Sequence, residues 1–174
     1  MNKFFRLIGF GLLFIIIFLI ILGFYTVSDI QLSHTQYLPA PTTLIWQHIT
    51  NEEKLGNWIY QVPIQDCVSD TNNIIICYSD NNKKNKISTI HRDIENKSIN
   101  LVLDEKWHNP FIYDYSLMVH LKSLRDGTTE INCTLHYRLK NIMARVINKL
   151  YFEGYQKKLI EKNVKSLQKH FGRA

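Results

Sequence analysis

Residues 113–139 read YDYSLMVHLKSLRDGTTEINCTLHYRL, and the pairing within this stretch decides the architecture. Tyr113, Tyr115, Leu117, Val119 and Leu121 alternate with Asp114, Ser116, His120 and Lys122. Ile131, Cys133, Leu135, Tyr137 and Leu139 alternate with Asn132, Thr134, His136 and Arg138. The spacing predicts two half-buried strands whose odd positions face inward. A two-residue Asp126-Gly127 loop would pair odd with even positions and turn one apolar face to water. A three-residue loop, Arg125-Asp126-Gly127, restores odd-to-odd pairing and places Gly127 where such loops need a left-handed residue. Upstream, Ile99, Leu101 and Leu103 share that parity, which continues to Glu105 and Trp107. Glu105 is thus the one acid that simple alternation points inward.

Working outward, the texture from Gln65 to Lys140 is of short β-branched and aromatic segments separated by polar turns, which predicts an antiparallel meander. Strands are expected near 65 to 70, 73 to 79, 86 to 94, 98 to 107, 112 to 124 and 128 to 140. After them, Asn141 to Phe171 forms one amphipathic helix of about 30 residues. Met143, Ile147, Leu150, Tyr151, Tyr155, Leu159, Val164, Leu167 and Phe171 make its apolar stripe, and Lys157, Lys158, Lys162, Lys165 and Lys169 its wet face. Gly154, in the middle, predicts a bend or a close contact, because glycine costs about 1 kcal/mol against alanine there. Before the meander, Ile30 to Tyr37 alternates as a strand and ends at Pro39-Ala40-Pro41. Pro41 suits a first helical position, with Leu44, Ile45, His48 and Ile49 on one face and Trp46 beside them. Asn51 reads as the N-cap of a second short helix ending near Gly56-Asn57-Trp58.

At the N-terminus, Leu7 to Ser28 is 22 residues without a charge. About 20 apolar residues at about 1.5 Å each cross a hydrocarbon core of about 30 Å, so a single membrane span is expected. The apolar region of a cleaved signal peptide is about 7 to 15 residues and ends in small residues. This one is longer and runs into Gly23-Phe24-Tyr25-Thr26-Val27, with the two aromatics placed as an interfacial anchor. Lys3 and Arg6 precede it and the next Lys or Arg is Lys54, so the N-terminus is expected in the cytoplasm of a single-pass inner-membrane protein. Residues 1–28 are then the tail and anchor, and residues 29–174 one domain on the periplasmic or extracellular side.

The net charge of +6 is uneven. From Arg138 onward ten Lys and Arg face two Glu, a net +8, whereas Leu7 to Tyr137 carries −4. Such a run is either the solvated face of a helix or a surface for anionic lipid headgroups. No aromatic-interleaved basic motif accompanies it, and nucleic acid is not expected as a partner. Cys67, Cys77 and Cys133 make no metal spacing. Cys67 and Cys77 lie five residues either side of Asn72, at a hairpin turn, and are either bridged or two buried thiols. The sequence holds no GxSxG, HExxH, P-loop or CxxC, its seven histidines are scattered, and no cofactor or metal is expected.

One strand, two short helices, six antiparallel strands and a long closing helix is the order of a helix-grip fold: α+β, a curved seven-stranded antiparallel sheet around a C-terminal helix, here preceded by one transmembrane helix. The chain resembles the SRPBCC or START-like superfamily, in its polyketide cyclase/dehydrase and lipid-transport branch. The residues that carry the likeness are Leu38 to Trp46 leading to Asn57-Trp58, the turn Ile94 to Ser98 into the strand at Ile99, and Leu159, Val164 and Leu167 of the closing helix. The resemblance implies a hydrophobic ligand held between helix and sheet. Its candidate contacts are Trp46, Trp58, Leu101, Leu103, Trp107, Tyr113, Tyr115, Leu117, Leu135 and Tyr137, residues that equally suit a plain core. The expected function is membrane-tethered binding of a lipid or other lipophilic molecule. The alternatives are an enzyme of cyclase, dehydratase or hydrolase type using Glu105 and the inward tyrosines, and an envelope interaction domain without a ligand.

Overall fold

In the computed structural model of the chain, Leu117 stands opposite Leu135, Val119 opposite Cys133 and Leu121 opposite Ile131, so the two strands pair odd to odd. The structure describes residues 2–70, 73–80, 85–104 and 111–172. Leu124 and Thr128 close a three-residue loop, with the Leu124 amide donating to the Thr128 carbonyl at 2.9 Å, and Gly127 at its end has φ +82°. That left-handed conformation is the one glycine adopts without a Cβ penalty.

The sheet is built from β1 (Asp29–Leu38), β2 (Asp66–Ser69), β3 (Ile74–Tyr78), β4 (Lys86–Asp93), β5 (Ser98–Leu103), β6 (Ile112–Ser123) and β7 (Thr129–Leu139). The seven strands are all antiparallel in the order β1-β7-β6-β5-β4-β3-β2, so the first strand pairs with the last. Preceding β1 is α1 (Asn2–Tyr25), and between β1 and β2 lie α2 (Thr42–Ile49) and a 3-10 turn (Glu52–Asn57) capped by the Asn51 side chain. Pro41 sits at the N-cap of α2, one position earlier than expected, with an extended backbone. The residues Leu101, Leu117, Leu135 and Tyr137 are buried on one face of the sheet, together with Ile45, Ile49, Trp58, Ile160, Val164 and Leu167 from the helices and the loop. Cys67 and Cys77 are cross-strand partners and are joined in a disulfide, while Cys133 is a buried free thiol.

The C-terminal helix differs from a straight rod. It comprises α3 (Ile142–Ile147), a π-helical turn (Asn148–Phe152) and α4 (Glu153–Phe171). Ala144, Asn148, Gln156, Ile160 and Val164 are buried along its whole length at spacings of four or eight. In a straight α-helix a four-residue series drifts by about 40° per step. The wide turn takes up that drift. The apolar stripe expected at uniform pitch is therefore split. Leu167 and Val164 are buried, but Met143, Ile147, Leu150, Tyr151 and Tyr155 are exposed. Gly154 follows the π turn, and a Cβ there would meet open space, so it marks no close contact.

A second correction falls at the start of β6. Asp114 has φ +52° within a bulge between Tyr113 and Ser116, and Tyr113 consequently pairs with Arg138 while Ile112 pairs with Leu139. Tyr113 leaves the inward parity series and Ile112, which is buried, takes its place. Arg138 binds Asp114 at 3.4 Å and Asp29 at 3.3 Å on the outer face, ties of small energetic weight at such exposed positions.

Among the described residues one helix, α1, is long and apolar enough to cross a membrane, and its window Ile8–Tyr25 is almost wholly exposed. The C-terminal end of α1 packs on α3 at Gly23. A Cβ there would collide with the Ile142 side chain and stand 3.0 Å from the Ile142 carbonyl oxygen and 3.1 Å from Val146 Cγ2.

Candidate functional site

The loop between the 3-10 turn and β2 is clamped to α4 by side chains that define one wall of a cavity. The Tyr60 amide donates to Asn163 Oδ1 at 3.1 Å, which orients the Asn163 amide so that its Nδ2 donates to Gln61 Oε1 at 2.7 Å. Asn163 is fully buried, and Lys162 lies 3.9 Å over the Tyr60 ring. With its oxygen so occupied, Gln61 presents Nε2, which is buried and has no hydrogen-bond partner among the described residues. An unpaired buried donor costs about 1 to 3 kcal/mol and calls for an acceptor.

Gln61, Val62 and Pro63 face Leu103 at the end of β5 and Ile112, Tyr113 and Tyr115 at the start of β6. Phe152, Tyr155, Gln156 and Leu159 of the closing helix complete a cavity of about 230 Å³ between helix and sheet. That volume lies just under the range of about 300 to 1,000 Å³ usual for small-molecule sites, so a compact lipophile or one arm of a larger one fits it. None of the described lining residues carries a charge. Inside, the Tyr115 hydroxyl donates to Gln156 Oε1 at 3.1 Å, leaving the Gln156 amide NH2 as a further donor. Burial, reinforced by the neighbouring Tyr137 and Tyr155, holds the Tyr115 phenol far above its ordinary range, so it is neutral at any physiological pH. Behind it, Tyr137 stacks on Tyr115 with ring centres 6.2 Å apart and donates to Asn148 Oδ1 of the π turn at 2.6 Å.

The sequence-derived candidates thus divide. Leu103, Tyr113 and Tyr115 line the cavity, Tyr113 despite the bulge. Leu101, Leu117, Leu135, Tyr137 and Trp58 are packed in the core behind it. Trp46 is half-buried, with the Lys97 ammonium 5.2 Å from its ring centre, and does not border the cavity. Glu105 and Trp107 lie outside the described residues. Gln61, Gln156 and Asn163 were not singled out in the sequence. Gln156 and Asn163 alternate with Ile160 and Leu167 on the buried face, and polar residues at core positions of a helix are a signal of buried amide networks. Gln61 leaves no such trace. Among the described residues no group of His, Cys, Asp and Glu could hold a metal ion.

No protein-family model matches the chain, and no curated protein matches its sequence. Solved structures do resemble it. The Zhui aromatase/cyclase from a Streptomyces species superposes with a TM-score of 0.54 at 12% identity, over 80% of this chain and 94% of that one. A START superfamily protein from Mycobacterium smegmatis gives 0.56 at 14% identity, over 82% and 97%. Norcoclaurine synthase from Thalictrum flavum gives 0.55 at 13% identity, over 83% and 97%. The chain has the helix-grip fold of SRPBCC and START-like proteins.

Proposed function

We propose that this protein is a membrane-tethered binding module for a hydrophobic small molecule, held in the cavity between the sheet and the closing helix. The observation that carries the reading is the character of the cavity's described lining: uncharged, mostly apolar, and furnished with a buried unpaired donor at Gln61 Nε2 beside the Gln156 amide. Such a site suits a lipophile bearing one carbonyl or ether oxygen, which the two amides would orient. The tether, α1, is read as an uncleaved single span with the N-terminus in the cytoplasm and residues 29–174 periplasmic or extracellular. Its packing on α3 at Gly23 supports retention, since cleavage before β1 would strip that face of Ile142 and Val146. Two of the similar solved structures are an aromatase/cyclase and a synthase. In this cavity the described lining supplies apolar walls and buried amide donors, which suits the holding of a lipophile.

The test is to extract the full chain into lipid nanodiscs, denature it and identify released lipophiles by mass spectrometry, beside Leu159→Trp, which fills the cavity. A compound enriched over bulk lipid in the wild type and lost in the variant is expected. Identical profiles would refute the reading, and turnover of the compound that is lost in Glu105→Gln would make the protein an enzyme.

A further inference from the structure

The apolar residues that the π turn leaves outside the core are not scattered. Met143, Leu150 and Tyr151 are 63%, 67% and 69% exposed, and Ile147 joins them on one face of the helix. This face adjoins the one that carries Ile142 and Val146, which pack on α1. The height of that contact is informative. The candidate span runs from Ile8 to Tyr25, and Gly23 is two residues inside its outer end. At about 1.5 Å per residue, α3 therefore meets α1 about 3 Å below the outer limit of the span. A helix fixed at that depth lies in the boundary between headgroups and acyl chains. Phe24, Tyr25 and Val27, at and just beyond the end of α1, are exposed as well.

The cavity lies at this end of the sheet. Asp29, four residues beyond α1, pairs with Arg138, and Arg138 pairs with Tyr113 of the cavity wall. Two strand spacings of about 4.8 Å put Tyr113 about 10 Å from Asp29, the first strand residue after the anchor. Tyr155 borders the cavity and stacks on exposed Tyr151, with ring centres 6.2 Å apart. Lys165 and Lys169, near the C-terminal end of α4, are elsewhere. His170 lies against His48 of α2, which follows the far end of β1. Ten strand residues of about 3.3 Å separate that level from the anchor, several Debye lengths of about 8 Å.

We infer that Met143, Ile147, Leu150 and Tyr151 dip into the outer leaflet of the bilayer that holds α1, and that the cavity takes up its ligand there directly from the lipid phase. The docking is apolar, and so independent of lipid charge and of salt, unlike the lysine-driven attraction to anionic headgroups that the sequence suggests. It rests on the reading of α1 as a membrane span.

The experiment uses the full chain in vesicles of neutral phosphatidylcholine containing lipids with a nitroxide quencher on the upper acyl chain. Single cysteines are introduced by Leu150→Cys, Phe14→Cys or Lys165→Cys and given a small fluorophore. Cys67 and Cys77 are bridged, and burial pushes the Cys133 thiol up to about 12, so the introduced thiol is the one labelled. The probe at 14 reports the span, that at 150 the docking, and that at 165 the far end. Strong quenching at 14 and 150, unchanged in high salt, with none at 165 is the expected result. Quenching at 14 without quenching at 150 would overturn the docking and leave the span standing. An unquenched probe at 14 would overturn the span and the docking with it. Protection of the 150 probe from aqueous iodide without lipid quenching would place a second protein copy on this face and also overturn the inference.

Discussion

Tyr137→Phe removes one oxygen and tests how the sheet grips the closing helix. The hydroxyl donates to Asn148 Oδ1 at 2.6 Å, and both residues are buried, Asn148 to 3% exposure. Losing the bond forfeits about 0.5 to 1.5 kcal/mol, and leaving the buried Asn148 oxygen without its donor raises the total to about 1 to 3 kcal/mol. Asn148→Leu should cost a similar amount, because the Tyr137 hydroxyl is then the orphan. The double variant removes both polar partners at once and should cost less than the sum of the singles by at least about 1 kcal/mol. Urea unfolding of the full chain in detergent, followed by tryptophan fluorescence, reads all four stabilities, since Trp58 is fully buried and changes environment on unfolding. Costs that add to within about 0.5 kcal/mol would refute the coupling and with it the claim that the π turn is pinned from the sheet.

Leu135→Ala should destabilise by about 2 to 5 kcal/mol while the purified protein keeps its lipophile, because Leu135 is fully buried behind the cavity and does not line it. Reducing the Cys67–Cys77 bridge, which closes a loop of ten-residue separation, should lower stability by up to about 3 kcal/mol, read as a shift of the urea midpoint with and without reductant. His48 is held at about 4, below its usual 6.5, first by burial and then by the His170 and Lys54 charges. Between those values the unfolded chain binds a proton that the native chain does not, so stability should fall as the pH drops from about 6.5 to about 4, and His48→Gln should flatten that part of the curve.

Much of the fold was legible because alternation and turn chemistry agree wherever one sheet face is buried. The parity of Leu117, Val119 and Leu121 against Ile131, Cys133 and Leu135 required a three-residue loop, and Gly127 supplied its left-handed residue. The bulge at Asp114 was not legible, since Asp visits the left-handed region without a glycine to mark it. The π turn was equally hidden. It arises from tertiary packing that keeps Ala144, Asn148 and Val164 on one face, and a stripe drawn at uniform pitch placed Leu150 and Tyr151 in the core when they are exposed. In the cavity, the aromatic and aliphatic walls at Leu103, Tyr113 and Tyr115 follow from strand parity or proximity to it. The Gln61–Asn163 contact joins residues about a hundred positions apart through amides that carry no motif.

The binding claim is tested most directly by capturing whatever occupies the cavity in the living membrane. A photo-crosslinking amino acid is placed at Leu159, which lines the cavity, and, in a second strain, at the exposed Lys158 on the adjacent position of the helix. After irradiation of intact cells the full chain is purified and its mass measured. The account predicts a discrete small-molecule adduct at position 159 that is absent at 158 and is lost when Gln61→Leu removes the orphan donor. A protein carrying no adduct at 159, or the same adducts at both positions, would contradict it.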